Sequence, residues 1–176
     1  MRRLFFGIPL SFASHDFQSC QRHWQQLLQL TENHKPVHSD NFHLTLQFLG
    51  AIEEERLEVL HQIALKISGH PFELELNTYG LFTKAKCGWI GPTSIPNELY
   101  ELHQNLTEQL SLNQFKITEQ GYTPHVTLFR NIRLKPEIRL EPSYVIFASE
   151  FALFESVPTM HGVRYIPLNR YPLLNN

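Results

Sequence analysis

The segment His43-Leu44-Thr45-Leu46 recurs 82 residues later as His125-Val126-Thr127-Leu128. Both copies place a histidine and a threonine two positions apart, and an apolar residue follows each of them. Alternate residues of a β-strand point to the same face, so each copy predicts a strand with His and Thr on one face and apolar residues toward the core. A single His-x-Thr is weak evidence in a chain with 10 histidines. The matched pair in two predicted strands is not readily explained by chance.

Outward from these two segments, hydrophobic periodicity predicts a mixture of strands and helices. Helices are predicted from Ser14, after the acidic run Glu53–Glu55, and from Pro96. Residues 37–42 and the polar, proline-punctuated segment 131–143 are predicted to be loops. Strands are predicted over residues 4–10, 43–48, 72–76, 86–91, 125–129, 144–154 and 163–168. This mixture indicates an α+β fold with a mainly antiparallel sheet.

The N-terminal segment allows two interpretations. Arg2 and Arg3 precede an apolar run over residues 4–12, which is typical of a short signal peptide. A buried first strand is the alternative, and we favour it because Gly7 and Pro9 interrupt the run and a helical pattern follows at once. No apolar stretch approaches the roughly 20 residues of a membrane span.

Composition limits the classes of function. The chain has 176 residues, of which 42% are hydrophobic and 18% charged, and its formal net charge is −2. A protein that coats long nucleic acids usually has a basic excess, so any RNA contact is expected to be a local pocket for an RNA end. Cys20 and Cys87 form no disulfide framework, which fits a reducing cytoplasm.

The residue types of the repeated segment suit acid–base chemistry on a phosphate. Two such strands side by side would bring two imidazoles and two hydroxyls into one cleft. Imidazole titrates near neutrality, so one histidine can accept a proton while the other donates one, and hydroxyls can donate to phosphate oxygens. The simpler alternative is that each histidine is bonded locally in its strand. Since Pro36 separates His34 from His38 and no Cys/His cluster occurs, neither a metal nor another cofactor is expected.

The stretches His43–Gly50 and Tyr122–Arg130 resemble the two signature motifs of the 2H phosphoesterase superfamily, known for its paired HxTx motifs. The similarity is greatest to its bacterial RNA 2′,3′-cyclic phosphodiesterases, also called 2′-5′ RNA ligases. Segments 3–10, 88–91 and 162–168 resemble the first, middle and closing strands of that family. The resemblance therefore extends over nearly the whole chain.

This resemblance implies a fold and a reaction. The implied fold is α+β and bilobal, with two mainly antiparallel sheets related by pseudo-two-fold symmetry, helices packed outside and a central cleft. Residues 1–176 would form a single domain of two intertwined lobes. The implied reaction is hydrolysis of an RNA or nucleoside 2′,3′-cyclic phosphate to a 2′-phosphate, without a metal.

The resemblance also implies a role for each member of the two motifs. His43 would be the general acid that protonates the departing ribose 3′-oxygen, and His125 the general base that activates water. Thr45 and Thr127 would hold the phosphate. Because the two motifs are nearly equivalent, the exchange of the acid and base roles stays open.

Phe48 and Arg130 are related by the same 82-residue shift, and the family pattern makes them candidates for contacting the terminal nucleotide by stacking and by charge. Strict alternation directs both toward the core side, so they would reach the cleft only if each strand twists or bulges. The family usually has a small residue where Phe129 stands, which raises the question of an altered pocket.

Several alternatives remain at the level of function. The expected partners are RNA ends or small cyclic nucleotides as substrates, with no membrane and no obligate protein partner. The same site run backwards would join tRNA halves by a 2′-5′ linkage, and a binding module without turnover is the non-enzymatic alternative. The basic residues of 130–139, together with Lys84 and Lys86, are read first as solvated loop charges and second as contacts to an RNA backbone.

Overall fold

The structure is a computed structural model, and it describes residues 1–10, 18–19, 21–22, 34–117, 121–132, 143–160 and 162–174. The helix predicted from Ser14 lies mostly outside these ranges, and residues 18, 19, 21 and 22 are helical. Most of the predicted loop 131–143, together with Cys20, also lies outside the described residues.

The described residues contain two complete α-helices, each preceded by three strands, and four strands follow the second helix. Helix α1 is Leu57–Lys66 and helix α2 is Asn97–Leu112, and short 3-10 turns occupy Ser39–Asn41 and Glu54–Arg56. The strands are β1 Arg2–Pro9, β2 Lys35–Pro36, β3 His43–Ile52, β4 Phe72–Leu76, β5 Thr78–Phe82, β6 Cys87–Gly91, β7 Val126–Arg130, β8 Tyr144–Ala148, β9 Glu150–Thr159 and β10 Gly162–Pro172.

These strands form one large sheet and one small sheet. The large sheet has the order β10-β9-β1-β3-β7-β6-β5, with β2 also paired to β7, and the small sheet is β4-β8. Every described pairing is antiparallel. The predicted α+β class with mainly antiparallel sheet is therefore confirmed.

The large sheet consists of two halves that meet between the repeated segments. Within the described residues, β3 and β7 share one Cα pair, Leu44 with Val126. Beyond that pair β2 lies along β7 instead, with Lys35 opposite Arg130. Because β3 begins at His43 and β7 at Val126, the two antiparallel strands overlap only at their first residues and continue in opposite directions. We call the solvent-facing side of the sheet at this junction of the two halves the cleft.

The core lies on one face of the large sheet, where both helices contribute their apolar stripes. Leu60, Ile63 and Ala64 of α1 are buried, and α2 adds leucines at helical spacing. Strand residues of both halves belong to the same cluster, including Leu44 and Val126. Of the two fully described helices, neither covers the opposite face of the central strands, which is available for a site.

Some elements differ from the sequence-based predictions. Residues 2–9 form a strand within the large sheet, so the strand interpretation of the N-terminal segment is confirmed. Strand β5 was not predicted, because Tyr79, Gly80 and Leu81 do not alternate cleanly between apolar and polar. The segment 144–154 contains two strands, since the chain leaves β8 after Ala148 and enters another sheet at Glu150. Within the described residues, no helix is long and apolar enough to cross a membrane.

Candidate active site

The two repeated segments present their His and Thr side chains on the same face of the sheet. Leu44 and Val126 are fully buried on the core side, and the four polar residues beside them are partly exposed. In an antiparallel pair, the register continues from opposed residues to their neighbours. Continued by one residue on each side of the Leu44–Val126 pair, this register would set His43 opposite Thr127 and Thr45 opposite His125.

Each histidine is oriented by the backbone two residues before it. His43 Nδ1 lies 2.7 Å from the carbonyl oxygen of Asn41, and His125 Nδ1 lies 2.7 Å from that of Thr123. A carbonyl oxygen only accepts hydrogen bonds, so Nδ1 carries the proton in both rings. Nε2 is then the reactive nitrogen, and His43 Nε2 lies 3.1 Å from Thr45 Oγ1.

Aromatic rings surround both imidazoles. The His43 ring centroid lies 4.7 Å from that of Phe5 and 4.7 Å from that of Tyr165, which meets it edge-on. On the other side of the cleft, the His125 centroid lies 4.8 Å from that of Phe82 and 5.9 Å from that of Trp89. These apolar walls reduce the access of water to the two rings, and desolvation disfavours the charged form of an imidazole.

Burial and nearby positive charge lower the pKa of both histidines. Burial is the largest cause at His43, and the charges of His125 and Arg130 act in the same direction, so its pKa falls from 6.5 to about 4. The pKa of His125 is also lowered, again by burial first and then by Arg130. In the free protein both imidazoles are therefore predominantly neutral at pH 7, and Nε2 of each is an acceptor.

Matching irregularities in β3 and β7 change which side chains face the site. Leu46 has no Cα partner in the register of β3 with β1, and Leu128 has none in the register of β7 with β6. An extra residue in a strand reverses the facing of the residues that follow it. Phe48 is consequently 51% exposed, and it lies on the site face opposite Phe5, with 5.6 Å between the ring centroids.

Arg130 reaches the site face by the same irregularity and spans the cleft. Its Nη1 donates to Cys87 Sγ at 3.4 Å, and its Nη2 donates to the hydroxyl of Tyr165 at 3.2 Å. Strict alternation alone would direct Phe48 and Arg130 to the core, and the irregularities at Leu46 and Leu128 are the bulges that the sequence analysis required for either to reach the cleft. Phe129 is fully buried on the core side, so it does not line the cleft.

Asn41 is a functional candidate that the sequence analysis missed. Its side-chain Nδ2 donates to the carbonyl of Val163 at 2.6 Å, and its Oδ1 accepts from the backbone N–H of Tyr165 at 2.9 Å. The side-chain amide of Asn41 therefore fixes this residue to β10, while its backbone carbonyl orients His43. Sequence offers one indirect signal, since Asn41 and Thr123 stand at the same position before the two histidines.

The other residues considered from sequence do not assemble into a second site. Within the described ranges, no three His, Cys, Asp or Glu side chains are placed to hold a metal ion. Arg133, Lys135 and Arg139 lie outside the described residues, whereas Lys84 and Lys86 are exposed in the turn after β5.

Comparison with known proteins identifies the family. A family model described as LigT-like phosphoesterase matches residues 17–89. The chain is 30% identical over 177 residues to the RNA 2′,3′-cyclic phosphodiesterase of Escherichia coli strain K12, an alignment that covers 98% of this chain and 97% of the relative. It is 31% identical over 143 residues to the protein of the same name from Methanocaldococcus jannaschii, covering 74% of this chain and 80% of that one.

Solved structures agree with this result. The crystal structure of E. coli LigT complexed with 3′-AMP superposes with a TM-score of 0.87 at 28% identity, covering 99% of both chains. A second crystal structure, of a phosphoesterase, superposes with a TM-score of 0.88 at 29% identity and the same coverage. The chain thus belongs to the LigT-like phosphoesterase family of the 2H superfamily, and it is a hydrolase.

Proposed function

We propose that this protein hydrolyses the 2′,3′-cyclic phosphate at the end of an RNA, or of a nucleoside, to a 2′-phosphate and a free 3′-hydroxyl. The observation that supports this most directly is the convergence of two oriented imidazoles and two threonine hydroxyls on one face at the Leu44–Val126 pair. The relatives named RNA 2′,3′-cyclic phosphodiesterase supply the reaction class.

In the proposed reaction, water attacks phosphorus as the bond to the ribose 3′-oxygen breaks. His125 Nε2 accepts the proton of the water, and His43 Nε2 delivers a proton to the departing 3′-oxygen. Thr45 and Thr127 donate hydrogen bonds to the non-bridging oxygens. In-line displacement needs an acid and a base on opposite sides of phosphorus, and two strands related by a local two-fold axis supply that arrangement.

The acid requires a proton that the free enzyme largely lacks at neutral pH. The pKa of His43 is about 4 because of burial and two nearby positive charges. A bound phosphodiester brings a negative charge next to the ring, which raises its pKa and favours protonation on substrate binding. We therefore propose that His43 acquires its proton together with the anionic substrate.

Phe48 and Arg130 are proposed to bind the terminal nucleotide. Phe48 offers an exposed ring on the site face, and Arg130 offers a guanidinium that spans the cleft to Tyr165. A stacked base and a charge-assisted contact would fix one orientation of the ribose. We further propose that the chain forms one domain of two intertwined lobes, because one hydrophobic cluster contains strands of both halves. We also propose that it acts in the cytoplasm, where free cysteines stay reduced.

The decisive experiment is a turnover assay with adenosine 2′,3′-cyclic phosphate as substrate. We expect complete conversion to one nucleoside monophosphate by catalytic amounts of protein. Binding without turnover would identify a non-catalytic RNA-end binder and refute the proposal. Adding an RNA with a free 5′-hydroxyl tests the reverse reaction in the same tube, since 2′-5′ ligation would yield a longer product.

A further inference from the structure

The site face continues beyond His125 onto the hairpin formed by β5 and β6. Trp89 lies opposite Thr127 in the register of β6 with β7, and Gly80 lies opposite Trp89 in the register of β5 with β6. Phe82 is opposite Cys87, which contacts Arg130. Cross-strand partners share a face, so both aromatic rings of this hairpin lie on the same face as the proposed catalytic groups.

The two rings form a platform whose geometry depends on glycine. A Cβ at Gly80 would fall 1.8 Å from Cζ2 of Trp89, so the indole lies directly over the backbone of Gly80. The ring centroids of Phe82 and Trp89 are 5.2 Å apart, and both side chains are partly exposed. We call Phe82 and Trp89 the hairpin platform; it adjoins His125 and is separate from Phe48 across the cleft.

Positive charge borders the hairpin platform. Lys84 and Lys86 are exposed in the turn of the hairpin, and the carbonyl of Lys86 accepts from the backbone N–H of Ile132, which places the turn beside the end of β7. Lys35 lies opposite Arg130 in the register of β2 with β7 and is also exposed. Residues 76–97 contain no Asp or Glu, so this local charge is not balanced along the hairpin.

Aromatic rings next to exposed cations are the combination that binds single-stranded nucleic acid without base specificity, because every base has a π-face and every linkage has a phosphate. We propose that the hairpin platform binds the nucleotide immediately 5′ of the terminal cyclic phosphate. Its base stacks on Phe82 and Trp89, and its phosphates lie toward Lys84 and Lys86. This inference rests on the proposed function and extends it from a terminal nucleotide to an oligoribonucleotide.

The test compares a mononucleoside 2′,3′-cyclic phosphate with a dinucleotide that ends in the same group. The wild-type enzyme should show a kcat/KM for the dinucleotide roughly 5- to 150-fold higher, the usual worth of one stacked base. The ratio of the two kcat/KM values is the informative quantity, because changes in the catalytic groups affect both substrates alike.

Two sets of variants separate the stacking from the charge. Gly80→Ala, which displaces Trp89, and Phe82→Leu should each lower the ratio toward one. The double variant Lys84→Ala/Lys86→Ala should lower the ratio and reduce the salt dependence of dinucleotide kcat/KM by about 0.7 in log–log slope, because the dinucleotide has one internucleotide phosphate. Lys66→Ala is the matched control, since Lys66 is exposed on α1, away from the site face.

The outcomes are distinguishable. Wild-type turnover of the mononucleotide with no preference for the dinucleotide would overturn the platform proposal and leave the proposed function intact. Failure to hydrolyse either substrate would overturn the proposed function itself. The platform variants can also be assayed on a 2′-5′-linked dinucleotide. If they lose activity only on that substrate, the platform binds the nucleoside attached through its 5′-oxygen to the reacting phosphate, and the proposed polarity is wrong.

Discussion

Leu44 of β3 lies directly opposite Val126 of β7, so the middle residues of the two His-x-Thr segments face each other across the junction of the sheet. A local two-fold axis therefore passes between them, as in any antiparallel pair. The same symmetry relates the irregularities at Leu46 and Leu128 that follow. The two similar sequence segments therefore occupy equivalent positions on the two sides of one cleft.

Replacing either histidine by alanine should reduce kcat on adenosine 2′,3′-cyclic phosphate by about 10²- to 10⁴-fold, the usual worth of general acid–base catalysis. Thr45→Val and Thr127→Val should cost less, since each removes a phosphate contact but no proton transfer. His70→Ala, at an exposed position outside the cleft, is the control. Near-normal turnover by either His→Ala variant would rule out the proposed roles.

The pH dependence of kcat/KM should be bell-shaped with its maximum on the acid side of 6.5. The active form has one neutral and one protonated histidine, and the pKa values of both free-enzyme histidines are lowered, that of His43 to about 4. Activity should therefore fall as pH rises above the lowered pKa values and also fall in strong acid. Steady-state rates from pH 3.5 to 9 test this, and a kcat/KM maximum above about pH 7 would contradict the electrostatic description.

Replacing Arg130 tests whether its positive charge contributes to the position of this pH profile. Its charge lowers the pKa of both histidines, so Arg130→Gln should shift the whole bell toward higher pH in addition to raising KM. Lys66→Ala removes one exposed positive charge elsewhere and should leave the profile in place. An unshifted profile in Arg130→Gln would mean that Arg130 does not contribute to the lowered pKa values of the two histidines.

Asn41 should act as a positioning residue for His43. Asn41→Ala removes two hydrogen bonds to β10 and should lower kcat on the order of 10-fold with a smaller change in KM, because misplacement of a catalytic group affects the chemical step. Asn41→Asp keeps the acceptor for Tyr165 N–H and should recover part of the loss. Thr123→Ala is the matched control, since His125 uses only the Thr123 carbonyl. Equal losses in both alanine variants would argue against the contribution of the amide.

Hydrolysis should persist in excess EDTA. Both proposed proton transfers use imidazoles, and the described residues bring together no three His, Cys, Asp or Glu side chains for a metal. The measurement is turnover after prolonged dialysis against chelator, with a zinc-dependent hydrolase treated in parallel. Activity that disappears and returns with a divalent ion would refute the two-histidine mechanism.

The product should be a 2′-phosphate with a free 3′-hydroxyl. That outcome requires His43 to protonate the 3′-oxygen and the terminal nucleotide to bind in one orientation. Phosphorus NMR against authentic 2′- and 3′-monophosphates distinguishes the two products. A predominantly 3′-phosphate product would mean that the acid and base roles, or the orientation of the ribose, are reversed.

Local periodicity was sufficient for several parts of the structure. The alternation of residues 72–76 and the leucine spacing of α2 predicted a strand and a helix, and both occur there. Alternation failed at β5, where Gly80 interrupts the pattern because the indole of Trp89 occupies the space of a side chain. The need for glycine at position 80 comes from Trp89 on the neighbouring strand, so it cannot be recognised from the β5 segment alone.

The sequence by itself determined the pair of His-x-Thr strands, their apolar inner faces and the α+β class, because strand and helix periods are properties of consecutive residues. Tertiary structure decided which further side chains join them. Phe48 and Arg130 face the cleft only because Leu46 and Leu128 are extra residues relative to their partner strands, and register exists only between strands. Contacts such as that between Asn41 and β10 join residues more than 120 positions apart, so only the folded chain brings them together.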